Sequence, residues 1–229
     1  MPFVDRKDAG RQLARALQQY RNDLPIIVAL PRGGVPVAAE IAQALGAPLE
    51  LLLVRKIGLP HHPELAMGAV VDGDPSIVLR NEDVIAQARV TDADFAAASA
   101  RERAEIARRR LLYPGPKTMP RSLAGRTVIL VDDGVATGAT IRVAIRALRL
   151  SHPARIILAV PVGPPDTVSA LQAEADAVVC LEKHDNFDAI GRYYQDFSQL
   201  DDAQVLQILA QHAGQDVDRP GPPASGRRS

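Results

Sequence analysis

The sequence predicts an α/β protein with a central, mainly parallel sheet flanked by helices. Three observations predict it. Short, nearly continuous apolar runs recur at 26–30, 128–131, 155–160 and 177–181, the pattern of strands buried on both faces. Segments with apolar residues three and four apart stand between these runs, so strands and helices alternate. The length, 229 residues, suits one full core with a small extra lobe.

In chain order, Asp5 is placed to cap a helix through about Tyr20, with Leu13, Ala16, Leu17 and Tyr20 on one face as a cover for the core. The strand 26–30 runs into Pro31-Arg32-Gly33-Gly34-Val35-Pro36. Two adjacent glycines after an arginine at a strand tip make an anion-binding turn. A helix from about Val37 to Leu45 follows, stopped by Gly46. Leu49 to Val54 is the next strand, with Arg55-Lys56 at its tip, the end where parallel α/β sheets bind ligands. From Ile57 to Asp74 glycines and prolines make the chain loop-like, and Ala66–Val71 and Ser76–Leu79 read as a small hairpin. His61-His62 are not read as a metal site.

The stretch 81–113 predicts a helical insertion. Thr91-Asp92-Ala93-Asp94 has the form of a capping box, and Glu105 and Arg109 are spaced for a helical ion pair. The remaining arginines read as a solvated face. The insertion stops at Tyr113-Pro114-Gly115-Pro116. Beyond the central strand come a helix over 141–148, the strand 155–160, a helix from about Asp166 to Ala173 and the last core strand. Cys180, the one cysteine, lies in that strand and reads as a buried structural thiol. Residues 182–197 hold four of the eight aromatics. Asp201 caps a last helix to about His212, and 213–229 is rich in Pro, Gly, Ser and Arg without periodicity, a pattern read as a disordered tail. Residues 1–212 thus read as one domain.

The stretch that carries chemistry is Val128-Ile129-Leu130-Val131-Asp132-Asp133-Gly134-Val135-Ala136-Thr137-Gly138-Ala139-Thr140. It is a strand, an acidic tip, a loop of small residues and hydroxyls, and a helix start. Such a loop can wrap a phosphate with backbone N–H groups, hydroxyls and the positive end of a helix. The two carboxylates repel a phosphate, so they suit sugar hydroxyls or a hydrated Mg²⁺ beside it. No G-x-x-x-x-G-K-[ST] loop accompanies them, which speaks against a nucleotide hydrolase, and no G-x-G-x-x-G is present.

Composition narrows the partners. Lysine plus arginine equals aspartate plus glutamate, 27 against 27, so charge makes no case for nucleic acid. The absence of tryptophan argues the same way. A single cysteine excludes an internal disulfide framework. No membrane span or leader pattern is read, so a cytoplasmic protein is expected.

The 128–140 stretch resembles the phosphoribosyl-diphosphate (PRPP) signature of the type I phosphoribosyltransferases. Five residues, Asp132, Asp133, Thr137, Gly138 and Thr140, each of a type used at roughly 5–7%, would align by chance at about one start in a million. The resemblance implies that type I fold, with a flap over about 57–80 and a hood over about 182–197. It implies transfer of the 5-phosphoribosyl group from PRPP to a nitrogenous base or related acceptor, with Mg²⁺ and release of pyrophosphate. Asp132 and Asp133 would hold the ribose hydroxyls and, through water, Mg²⁺. Ala136, Thr137, Gly138, Ala139 and Thr140 would hold the 5′-phosphate. Arg32, Gly33, Gly34, Arg55 and Lys56 would meet the pyrophosphate, and Lys183 and Phe187 the acceptor. A homo-oligomer, a dimer, is expected. Family members acting on 6-oxopurines usually carry an aspartate just before the Thr-Gly pair. This chain has Ala136 there, as adenine- and uracil-type enzymes do, so the resemblance does not extend to hypoxanthine or guanine salvage. The alternative from another class is a regulatory module that binds PRPP without turnover.

Overall fold

The computed structural model describes residues 2–60, 62–72, 76–113 and 123–213. Five strands form one parallel sheet: β1 (Ile26–Ala29), β2 (Leu49–Leu51), β6 (Thr127–Val131), β7 (Arg155–Gly163) and β8 (Ala177–Lys183), in the order β2-β1-β6-β7-β8. All four pairings are parallel. Alternate residues of each strand feed opposite cores. Ile27, Ala29, Ile129, Val131, Ile157 and Ala159 face α1 (Arg6–Ala16), α2 (Gly34–Leu45) and α7 (Asp202–Ala213). Ile26, Val28, Val128, Leu130, Ile156 and Leu158 face α5 (Ala139–Arg149) and α6 (Pro165–Gln172). Covering both faces is what makes the strands continuously apolar.

The strand order places the future site. The chain turns outward from β1 to β2, whereas β6, β7 and β8 extend the other way. The C-terminal ends of β1 and β6 therefore meet at the point where the order reverses, the crevice in which open α/β sheets bind ligands. Val131 pairs with Ala29, and the Leu30 N–H donates to Val131 O at 3.0 Å, so the two tips leave the sheet side by side.

Several local expectations hold. Asp5 caps α1 by accepting from the Asp8 N–H, and Gly46 closes α2 in left-handed geometry at φ 59°. Thr91 caps α4 (Asp92–Leu112), accepting from the Asp94 N–H at 3.1 Å. Glu105 meets Arg109 at 2.8 Å. Asp201 accepts from the Gln204 N–H at 2.7 Å at the start of α7.

Others are corrected. The first helix ends at Ala16, and Gln18–Asp23 is a 3₁₀ segment. Its buried face is Ala9, Leu13, Ala14 and Leu17, with Ala16 exposed, because the polar run after Leu17 has nothing to bury. The second helix begins at Gly34, so the double glycine forms its N-cap and first residue. The strand expected over 49–54 ends at Leu51, and a new one, β3 (Val54–Leu59), starts three residues later. Leu52 and Leu53 are buried outside any strand, which is why the apolar run overstated its length.

The segment expected to be loop-like is mostly sheet. β3, β4 (His62–Val71) and β5 (Ile77–Arg80) form a three-stranded antiparallel sheet, carrying the expected hairpin as β4-β5. Gly58 sits at register shifts between β3 and β4. A Cβ on Gly68 would lie 2.5 Å from Leu79 O and 3.0 Å from the Phe95 ring. The insertion is two helices, α3 (Glu82–Gln87) and α4, and α4 packs Phe95, Ala98 and Ile106 into the main core. His61, Pro114-Gly115-Pro116 and the terminal stretch from Gly214 lie outside the described residues.

Candidate active site at the strand switch

Asp132 and Asp133 follow β6 directly, where the backbone leaves the sheet. They are not equivalent. Asp132 is partly open to solvent, and its Oδ1 accepts from the Asp133 N–H at 2.9 Å. Burial, then the neighbouring Asp133 charge, push its carboxyl well above the usual aspartate range. Asp133 is buried, and its Oδ2 accepts from Arg6 Nε at 2.8 Å. Burial raises its carboxyl too, and the Arg6 guanidinium opposes that rise.

The β1 tip packs against this pair. The Pro31–Arg32 peptide is cis. A Cβ on Gly33 would lie 2.0 Å from Asp133 Oδ2, so only glycine lets the turn pass over the carboxylate. A Cβ on Gly34 would lie 2.6 Å from Val131 O, and the Gly34 N–H is already given to Leu30 O at 3.1 Å. At 34, glycine thus lets the turn pack directly on the β6 tip. Arg32 donates from Nη1 to Leu200 O at 2.6 Å, and its Nε is 3.9 Å from Asp202 Oδ1. Asp202 Oδ1 in turn accepts from the Tyr113 hydroxyl at 2.6 Å. Burial, then this hydrogen bond, push the Tyr113 phenol up to about 12.

On the other side of the tip runs the loop to α5. Ala136 and Thr137 are exposed, and Gly138 starts the helix in left-handed geometry at φ 73°, a conformation glycine adopts without penalty. No side chain caps α5, and no acid stands in its first turn, so its positive end faces the loop uncompensated. Thr140 lies in that first turn, and Thr137 Oγ1 sits 3.5 Å from the Ala139 N–H. The Thr167 hydroxyl of α6 donates to Ala136 O at 2.9 Å and pins the loop from outside.

The segment after β8 closes over the acidic tip. The Tyr194 hydroxyl donates to Asp133 O at 2.6 Å, and Ile190 packs on Gly134. Phe187 stacks on Tyr193 with ring centroids 5.0 Å apart, and His184 stacks on the same ring at 4.4 Å. Phe187 thus has one face taken, while Lys183 is exposed at the end of β8. Cys180 is half-buried, and burial pushes its thiol up to about 11, as expected for a structural residue.

The structure therefore brings together 132–140 and Arg32-Gly33-Gly34. It does not bring Arg55-Lys56 to a parallel strand tip. Both lie inside β3, paired with Val70 and Ala69, and Arg55 Nε donates to Glu102 Oε2 of α4 at 2.8 Å. Sequence reading missed Arg6, Tyr113, Tyr194 and Asp202. The Arg6–Asp133 contact spans 127 positions, a separation that no local pattern encodes. Among the described residues no group of three or more His, Cys, Asp or Glu side chains could hold a metal. Among them also, no helix is long and apolar enough to cross a membrane.

A parallel sheet with an acidic pair and a glycine-bearing loop at its switch point defines a doubly wound α/β protein, a class that binds ligands at that place. Residues 5–197 match the phosphoribosyl transferase domain, and the chain belongs to that family. Two Mycobacterium tuberculosis proteins, from strains CDC 1551 and H37Rv, are 43% identical over 211 residues, which cover 90% of this chain. Both are provisionally named phosphoribosyl transferases. The chain spans 46% of their length. A crystal structure of a Thermus thermophilus protein is 39% identical, with a TM-score of 0.78, covering 93% of this chain and 100% of that one.

Proposed function

We propose that this domain transfers the 5-phosphoribosyl group of PRPP to a nitrogenous acceptor and releases pyrophosphate. One observation carries the reading: the acidic tip, the uncapped start of α5 and the Arg32-Gly33 turn converge at the strand switch. In the reaction the bond from ribose C1 to the pyrophosphate oxygen breaks, and its electron pair leaves with pyrophosphate. The acceptor nitrogen forms the new bond to C1 and releases its proton to solvent. The transition state is oxocarbenium-like, as in other glycosyl transfers.

The chain's own groups act by positioning and electrostatics. Residues 136–140 hold the 5′-phosphate at the positive end of α5. Asp132 and Asp133 accept from the ribose hydroxyls. Arg32 faces the departing pyrophosphate. The donor set fits Mg²⁺ held jointly with substrate, because two adjacent carboxylates, with no larger acidic group among the described residues, suit its habit of binding few carboxylates plus substrate oxygens. When bound, the ion would neutralise charge on the pyrophosphate. Residues 183–197 border the acceptor side.

The test is pyrophosphate release from PRPP and Mg²⁺ with a panel of purine, pyrimidine and nicotinic-type bases, Asp132→Asn serving as control. Release that depends on one base and vanishes in the control supports the transferase and identifies its acceptor. Tight PRPP binding without release would replace it with a PRPP-sensing module.

A further inference from the structure

Arg6 stands apart from every residue that the sequence assigned to the site. Its side chain is only 11% exposed, as is that of Asp133. Three contacts of different kinds hold it. Nε donates to Asp133 Oδ2 at 2.8 Å, and Nη1 donates to Ser198 O at 2.9 Å. The guanidinium carbon lies 3.8 Å from the centroid of the Phe197 ring. A guanidinium suits this place because its donors are fixed in one plane and that plane stacks on an aromatic face. An ammonium offers a point charge and no such plane.

Packing of α1 does not need this residue. Ala9, Leu13 and Leu17 are fully buried. The preceding residues are tied to the hood by backbone bonds, Phe3 N to Tyr193 O and Gln195 N to Phe3 O, both 2.8 Å. Arg6 is therefore surplus to docking the helix. Its contacts point at Asp133, whose Oδ2 takes the Arg6 Nε–H and lies against the Gly33 turn.

We propose that Arg6 is a positioning residue for Asp133, fixing the carboxylate in the orientation that a ribose hydroxyl meets. This rests on the phosphoribosyl reading of the site. It joins the N-terminal helix, the hood and the acidic tip into one unit, although Arg6 itself does not touch the reacting atoms.

The experiment compares ribose 5-phosphate with 2-deoxyribose 5-phosphate by titration calorimetry on the full chain. The two probes share the phosphate and differ in one sugar hydroxyl. Variants are Arg6→Met, Arg6→Lys and, on an exposed position of the same helix, Arg11→Gln. Wild type is expected to prefer the ribose form by about 10- to 100-fold, the scale of a hydrogen bond to a charged group. Arg6→Met is expected to bring that ratio to about 1 while affinity for the deoxy probe stays within about twofold. Arg6→Lys restores part of the ratio, and Arg11→Gln leaves it unchanged. An Arg6→Met ratio equal to wild type overturns the proposal, and so does equal weakening of both probes, which is what lost packing alone would produce. If Arg6→Met does not fold, the Arg6→Lys ratio decides, with full wild-type preference counting against a positioning role. A wild type that does not distinguish the probes overturns the phosphoribosyl reading and Arg6's role with it.

Discussion

The two sheets of this protein use arginine in different ways. In the antiparallel sheet and its helices, arginines meet carboxylates of the same lobe: Arg55 with Glu102, Arg80 with Glu82 and Asp92, Arg108 and Arg109 with Glu105, and Arg110 with the fully buried Asp72. At the parallel switch, Arg6 and Arg32 reach backbone carbonyls of one strap, Ser198 O and Leu200 O, and Arg6 adds an acid of the proposed site. The difference teaches what a cation near a strand tip is for. Where its partners are side chains of its own lobe, it holds that lobe together. Where it is held by main chain beside the acidic tip, it ties the strap to that tip.

Substitutions at the two sheets should separate these roles. The largest effect is expected from Asp132→Asn, which should lower pyrophosphate release at least about 100-fold, the scale of a lost electrostatic group in an active site. Arg55→Gln should change release less than about threefold and stability by at most about 1 kcal/mol, because its ion pair is 38% exposed on the arginine side. A tenfold loss in steady-state assays of Arg55→Gln would return that residue to the pyrophosphate site.

Glycines give the next contrast. Gly33→Ala and Gly68→Ala each force a Cβ against a neighbour, at 2.0 Å from Asp133 Oδ2 and 2.5 Å from Leu79 O. Each should cost about 1–3 kcal/mol in thermal unfolding, the range for overpacking. Gly33→Ala should also abolish PRPP binding in calorimetry, and Gly68→Ala should retain it in the folded fraction.

Protonation separates the lobes more finely. Asp132 and Asp133 have raised carboxyl values when folded. Their cost to stability is full above the folded value and is relieved as pH falls through it toward the unfolded value. Glu105 behaves oppositely. Hydrogen bonds from Arg108 and Arg109 lower it to about 2 from 4.5, so its contribution is present above about 4.5 and lost as pH falls toward about 2. Asp132→Asn should therefore raise the melting temperature at pH 7, by about 2–4 °C for each kcal/mol relieved, with the gain shrinking toward pH 4. An unchanged or lower melting temperature would show that the acidic tip is not strained by burial. The smallest effect is expected from Tyr113→Phe, which removes the hydroxyl bonded to Asp202. It should cost about 1 kcal/mol in denaturant unfolding.

What the sequence determined by itself is local in origin. Strands buried on both faces must be apolar throughout, so β1, β6 and β7 were legible as runs, and β8, half-buried at the sheet edge, shares the apolar pattern. Helix ends must satisfy free N–H groups, so Asp5, Thr91 and Asp201 were legible as caps. The acidic tip and its phosphate-type loop were legible because their chemistry needs fixed residues within thirteen consecutive positions, 128–140. Tertiary structure decided the rest. Leu52 and Leu53 look like strand until packing buries them outside one, and the glycines at 58 and 68 look like loop until a bulge and a helix are set against them. Only the fold makes Arg55 an ion-pair partner of Glu102. Only the fold sets Arg6 on Asp133 across 127 positions and Arg32 on Leu200 across 168. The physical reason is the same in each case. A side chain's partner at long range depends on how the sheet order and helix packing bring distant segments together, and neither periodicity nor capping carries that information.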